Sequence, residues 1–441
     1  MVIVVIVAAV AAVFMSGILD NSDDGETSNV DSQLMVYGNA DGNYTIDQSD
    51  LDIVNDIIAG NASLSDHPLA DANADGTVNE QDVTIVQAII NRDATDMWVY
   101  CIGTDDQPTS VKISYPLRDF VIQGTNSASL VCEIDAVEYC AGYFYVYENA
   151  HSGLVESDAV DLGGTSRKVS EQAWQNFMNL DASIQGGVGA IISDASSSAL
   201  SNYYDAISTA EIPLIRFSVS DTYDSISAAL TIGFICGENA EQLAYNYASK
   251  CWDAFDYIEE RVSTLGDDER CVFVSITMST YIAQTESDYT HKVEYAGGIN
   301  IGDVNSEFAS SYSGDGSDKM QSTEALSNFD DDLDYIFSFR TTDYLTDTAT
   351  FVEDEWDDET WSYFRDLDCH ENFVIINGML PQVCQTAYAA AIMYPELISM
   401  EWADSLLLSF IEDSPSMGGY TLDDIITVFT YDDYVSYLNQ A

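Results

Sequence analysis

Two polar loops of the same design, 32 residues apart, constrain this chain more than any other feature. The first presents Asn39, Asp41, Asn43, Thr45, Asp47 and Asp50, and the second presents Asp71, Asn73, Asp75, Thr77, Asn79 and Asp82. Side-chain oxygens at positions 1, 3, 5, 9 and 12, with the carbonyl of position 7, surround one hard cation with six or seven oxygens. Here those carbonyls are Thr45 and Thr77. Position 8 is apolar in both loops (Ile46, Val78) and pins each to a core. Gly76 supplies the sharp turn at position 6, where the first loop carries Tyr44, so the second loop follows the pattern more fully. Each loop runs into a short amphipathic helix (LDIVNDIIAG, VTIVQAIINR) with apolar residues near i, i+3, i+4 and i+7. One such loop in an acidic chain is an ordinary acidic turn; two in register predict two calcium sites.

The paired loops, each with one following helix, resemble dockerin domains over residues 37–93. The resemblance implies a small all-α module of paired EF-hand-type loops folded around two Ca²⁺ ions. It also implies a cohesin-like protein as partner, although a stabilising spacer fits the same residues. The sequon at Asn61 makes that residue the better glycan acceptor, since Asn43 is already a candidate ligand.

Charge narrows the partners. Seventy-five acidic residues against thirteen basic ones give a formal net charge of −62. Such a surface repels phosphate backbones, so no nucleic-acid partner is expected, and it attracts cations. It also suits high salt, where screening relieves self-repulsion.

Residues 1–19 carry no charge before Asp20, an apolar stretch of borderline length for a spanning helix. We expect a transmembrane anchor or signal segment, with the rest of the chain on the extracellular face, anchored or secreted. Residues 20–36 form an acidic linker. The eight cysteines suit an oxidising compartment and buried thiols equally, and no pairing is inferred.

Beyond the loops, residues 94–115 alternate as a β-hairpin with TDDQP at its turn. Apolar strand-like runs (DFVIQG, VGAIIS, PLIRFS) then alternate with helical segments over 116–237. A long helix is expected over 238–264, and alternation resumes over 265–441 (CVFVSIT, LDYIFSF, NFVIING). The fold class is α/β: two Rossmann-like lobes joined by a long helix, after the small all-α module and the N-terminal membrane helix.

Several stretches resemble the substrate-binding proteins of iron-siderophore and cobalamin ABC importers. They are Tyr115 to Ile122, Leu162 to Thr165, Glu211 to Ile215, and Ile232 to Thr264 with its Gly237 to Ala240 turn. In the second half they are Glu294 to Ile301, Gln321 to Glu324, Leu333 to Ile336, Phe373 to Gly378 and Ala391 to Glu396. The turn Ala296-Gly297-Gly298-Ile299-Asn300 is the most specific of these, and residues 126–160 depart from the pattern. The resemblance implies capture of a metal chelate outside an archaeal-type cell and delivery to an ABC permease. A surface structural or adhesive protein reusing the fold is the alternative.

Ligands of such folds sit beyond the carboxyl ends of parallel strands. That rule selects Thr125 after FVIQG, Arg216 in PLIRF, Tyr281 after CVFVSITMST and Arg340 after IFSF as ligand-binding candidates. An arginine from each lobe is expected to clamp an anionic chelate. Catalysis has little support, so the chain is not read as an enzyme. His67, His151, His291 and His370 are scattered, and Val374 stands where a metalloprotease pattern begun by His370-Glu371 needs histidine. Gly187-Val188-Gly189 begins a dinucleotide fingerprint that Ile192 breaks.

Overall fold

Short apolar runs make the central strands of each sheet, and complete burial there explains why they lack alternation. Phe120–Gln123 and Ile191–Asp194 are buried at every position, as are Phe373–Ile376 in the second half. The computed structural model describes residues 32–306 and 367–440, with breaks at 166, 220, 279–280, 284–286 and 418–419. Within 307–366 it describes 308, 326, 332–339, 348 and 352. The proposed membrane segment 1–19 and most of the linker lie outside the described residues, as does Arg340. Among the described residues no helix is long and apolar enough to cross a membrane.

The chain divides into two units, the first comprising 1–146, 151–219 and 223–249, the second comprising 147–150, 220–222 and 250–441. In the first unit, α1 (Gln48–Ala59) and α2 (Glu80–Ile90) follow the two polar loops, and each starts on a reciprocal capping box. Asp47 with Asp50 makes the first box and Asn79 with Asp82 the second. An antiparallel hairpin follows, β1 (Thr95–Ile102) and β2 (Pro108–Tyr115), with its turn over 103–107.

The first unit's sheet contains β3 (Phe120–Gln123), β4 (Cys140–Tyr143), β5 (Val160–Asp161), β6 (Ile191–Asp194) and β7 (Leu214–Phe217). All neighbours are parallel and the order is β5-β4-β3-β6-β7. Its helices include α3 (Thr125–Glu133), α4 (Glu171–Ser183) and α5 (Thr222–Cys236). Val121, Phe144, Leu162, Phe177, Ile191 and Ile207 build the core on one side. Trp174 stacks there on Tyr203, with ring centroids 4.5 Å apart.

The polar-loop module is built into this unit and is not a bead on a linker. Val36 pairs with Val99, Tyr37 donates to the Trp98 carbonyl, and Tyr100 donates to Met35. The next backbone donors reach α5: Gln33 N–H to Ser227 Oγ at 3.1 Å and Met35 N–H to Thr231 Oγ1 at 3.0 Å. Both hydroxyls pass their own protons back one helical turn, to the carbonyls of Tyr223 and Ser227. Arg92, just past α2, forks onto Glu241.

α6 (Glu238–Val262) carries the chain from the first unit into the second. There the sheet comprises β8 (Val272–Met278), β9 (Tyr281–Ile282), β10 (Ile299–Asn300), β11 (Tyr335–Ser338), β12 (Phe373–Ile376) and β13 (Val428–Thr430). Their order is β10-β8-β11-β12-β13, with β9 paired to β8 and the β13 and β9 pairings antiparallel. A core of Val274, Ile276, Phe308, Ile336, Phe373 and Phe429 backs it. The turn at Gly297 fits the sequence reading, because its φ of +94° and a Cβ position 2.9 Å from Val262 admit glycine alone without displacement. All eight cysteines are free thiols, seven of them buried. Burial pushes Cys101 up to about 11 and Cys140 up to about 12.

Candidate functional site

Two places in the first unit concentrate polar groups: the paired loops and the carboxyl edge of the sheet. In the loops, position 12 organises the backbone. Asp50 is fully buried, accepting from the N–H groups of Ala40 (2.7 Å), Asp41 (3.1 Å) and Asp47 (2.7 Å). Asp82 repeats the arrangement, accepting from Asn73 (3.2 Å) and Asn79 (2.8 Å). At position 1, Asp71 accepts from Asp75 and Gly76, while Asn39 donates to the carbonyls of Leu34 and Asn43. The Asn39 Oδ1 is buried without a hydrogen-bond partner. Thr77 N–H reaches Asp75 and Thr45 N–H reaches Asn43, so positions 5 and 7 are tied alike in both loops.

In backbone conformation the loops differ at position 6. Position 4 takes a positive φ in both (Gly42, +74°; Ala74, +52°), but at position 6 only Gly76 does, at +90°. Tyr44 therefore bends the first loop differently, as its residue type requires. Burial pushes Asp50 up to about 7 and Asp71 up to about 6, against the pull of the N–H groups they accept. Those are buried carboxylates short of positive charge. Among the described residues no trio of His, Cys, Asp and Glu is placed to hold an ion. A cation here would therefore draw on asparagine and carbonyl oxygens too, the donor set a hard ion prefers, and the orphaned Asn39 Oδ1 is one such donor.

At the carboxyl edge, the strand order reverses between β3 and β6, the topological switch point where such sheets form a crevice. Ser193 Oγ bonds Gln123 Oε1 there at 2.7 Å. Gly124 then turns the chain into α3, with a φ of +124°. The N-terminus of α3, a natural seat for an anion, is occupied by the protein's own Asp194. Asp194 accepts from Ser127 N–H (2.8 Å), from Ser127 Oγ and from Asn126 N–H (3.3 Å). A Cβ on residue 124 would lie 2.4 Å from that carboxylate, which explains the glycine. Burial pushes Asp194 up, although these donors oppose it. His151, fully buried, places Nε2 3.2 Å from the Thr125 carbonyl and 3.0 Å from Ser129 Oγ.

The sequence-selected residues fare differently. Thr125 opens α3 at the switch point, half-buried. Arg216 is 4% exposed, and its guanidinium turns to the hairpin. It donates to the carbonyls of Gly103 and Ala195 and to Asp106 at 3.2 Å, with Tyr204 beneath it at 5.7 Å. The guanidinium is thus spent on holding the 103–107 turn against β7, a role that sequence spacing does not reveal. Tyr281 stands in β9 opposite Met278. Arg340 is not among the described residues.

The fold can now be compared. No family model matches the sequence, and no curated protein is similar to it. Solved structures do match. The molybdate periplasmic binding protein MolA of Haemophilus influenzae, with molybdate bound, aligns at a TM-score of 0.53 and 11% identity. The alignment covers 73% of this chain and 99% of that one. An ABC transporter solute-binding protein from Sulfurospirillum deleyianum aligns at 0.51 and 12% identity, over 77% of this chain and 99% of its own.

The chain has the fold of the periplasmic solute-binding proteins.

Within that fold, sequence reasoning missed Asp194, one acidic residue among 75 acidic side chains and so without a signal of its own. It also missed Arg167 and Lys168, adjacent cations in a chain with thirteen. Both are exposed on the loop after β5, where Thr165 and Lys168 bridge each other across a tight turn. Gly163 and Gly164, both at positive φ, bring the chain to that turn.

Proposed function

We propose that the chain is a non-enzymatic solute-binding protein that captures a small ligand outside the cell for an ABC permease. The observation that carries this reading is the fold match, which spans 99% of both solute-binding neighbours. The proposed ligand is a metal chelate of siderophore or cobalamin type, and the molybdate bound in one neighbour's structure adds an oxyanion as a smaller candidate. With Arg216 engaged by the hairpin, Arg167 and Lys168 become the first-unit residues best placed to meet negative charge. Thr125 remains a candidate beside them. The polar loops are proposed to hold two Ca²⁺ ions, and residues 1–19 to anchor the chain. A cohesin-like partner stays part of the dockerin reading alone.

Asp194 favours one second reading. An anion seat filled by a carboxylate is what a chain that kept the fold as a surface structural or adhesive protein would tolerate. A thermal-shift screen against ferric siderophores, haem, corrinoids and molybdate separates the two. Uptake expects a chelate or oxyanion to raise the midpoint, by about 2.7 kcal/mol of stabilisation at one hundred times Kd. The combined variant Arg167→Ala, Lys168→Ala should weaken that response. A flat screen with all four classes favours the structural reading.

A further inference from the structure

The docking of the first polar loop on the helices behind it leaves a cavity of about 320 Å³, lined by Tyr44, Thr45, Leu230, Phe234, Glu241, Gln242 and Tyr245. All of these residues belong to the first unit. The volume is at the low end for a small-molecule site, enough for one ring-sized ligand.

Its lining is divided by chemistry. Leu230 and Phe234 supply the apolar part. Tyr44 and Tyr245, 42% and 38% exposed, put two rings side by side with centroids 5.2 Å apart and planes tilted by 45°. Gln242 gives one amide N–H to Asn246 at 2.9 Å, and an amide carries further hydrogen-bonding capacity. Glu241 receives one bond on each oxygen from Arg92, so its charge is matched while acceptor positions remain.

That lining discriminates. A free anion finds no cation among the lining residues and faces the Glu241 carboxylate. A cation finds no unpaired carboxylate in the lining, because Arg92 already holds both oxygens of Glu241. A pure hydrocarbon leaves Gln242 and Glu241 without partners it could supply. What remains is a neutral ring with an apolar face for the tyrosines and hydroxyl edges for the amide and carboxylate. We propose that this cavity binds a neutral pyranose ring, as a free sugar or as one unit of a glycan. The site does not depend on the solute-binding reading, which concerns the carboxyl edge of the sheet.

The test is isothermal titration and saturation-transfer NMR of the full chain with methyl glucoside, galactoside and mannoside, and with their oligosaccharides. Binding of a monosaccharide marks a free-sugar site, and binding of oligosaccharides alone marks a glycan site; either supports the proposal. Tyr245→Ala should weaken the interaction roughly tenfold, whereas Tyr245→Phe keeps the ring and stays within about threefold. Gln242→Leu should also weaken it, with circular dichroism of each variant matching the parent. The proposal is overturned if no neutral pyranose binds, if indole or toluene binds in their place, or if a folded Tyr245→Ala variant binds as before.

Discussion

At the residue scale, two side chains near the sheet edge show how strongly context decides a role. Arg216 lies in a strand of the first lobe, where the general rule for such folds places ligand contacts, yet its donors go to Gly103, Ala195 and Asp106. Gly103 is 113 residues distant in sequence, so no local pattern could show this pairing. Truncating it removes the side-chain donor to two part-buried carbonyls and to Asp106. Arg216→Ala should cost about 2–4 kcal/mol and release hydrogen-exchange protection in the 103–107 turn. If the variant instead keeps that protection and loses only ligand affinity, the hairpin role is wrong. Gly124 makes the complementary point. Its positive φ and the Asp194 carboxylate leave no room for a Cβ, so Gly124→Ala should cost about 1–3 kcal/mol and fray the start of α3. The sequence places Thr125 correctly at a strand's carboxyl end because strand and breaker are adjacent. It is silent on Asp194, whose partners come from another strand-to-helix turn 67 residues away.

At the element scale, the polar-loop repeat was legible because each loop and its helix form one continuous stretch. What the sequence could not show is that residues 33–37 would bond to the hairpin and to α5. Removing a cation from the loops is therefore expected to lower stability across the first unit and not in residues 37–93 alone. The titration of the loops supplies the sign. Without an ion, Asp50 and Asp71 have folded values of about 7 and about 6, above the ordinary 3.8. The folded chain then holds protons the unfolded chain has released, and stability falls as pH rises from about 4 to about 7. Calcium competes with those same protons, so its stabilising effect should grow over that range. Thermal melts at pH 5 and pH 8, each in EDTA and in calcium, should show the larger calcium-induced rise at pH 8. Asp50→Asn with Asp71→Asn should flatten the difference. An equal rise at both pH values in the parent chain would remove these carboxylates from the ligand set.

At the scale of the whole molecule, charge is the dominant unbalanced quantity. The described cations already sit against carboxylates in many cases, as with Lys112 and Asp96, Lys250 and Asp413, and Lys292 and Asp288. Such pairs, mostly at the surface, contribute little each, and thirteen cations cannot offset 75 acidic side chains. The compact state therefore concentrates like charge that the unfolded chain can spread apart. Raising salt shortens the screening length from about 10 Å at 0.1 M to about 3 Å at 1 M, which relieves the repulsion among exposed carboxylates. The thermal midpoint of the full chain should therefore climb between 0.1 and about 1 M sodium chloride, steeply at first and then levelling as the screening length falls below the spacing of surface charges. Sodium and potassium chloride should act alike, because screening depends on ionic strength and not on the identity of the ion. Sucrose at matched osmolality should not reproduce the steep initial rise, since it acts through exclusion from the protein surface. A midpoint unchanged across that salt range would show that the acidic surface is not under strain at low salt. Resolving the melt with calcium saturated keeps ion binding at the loops from being mistaken for screening.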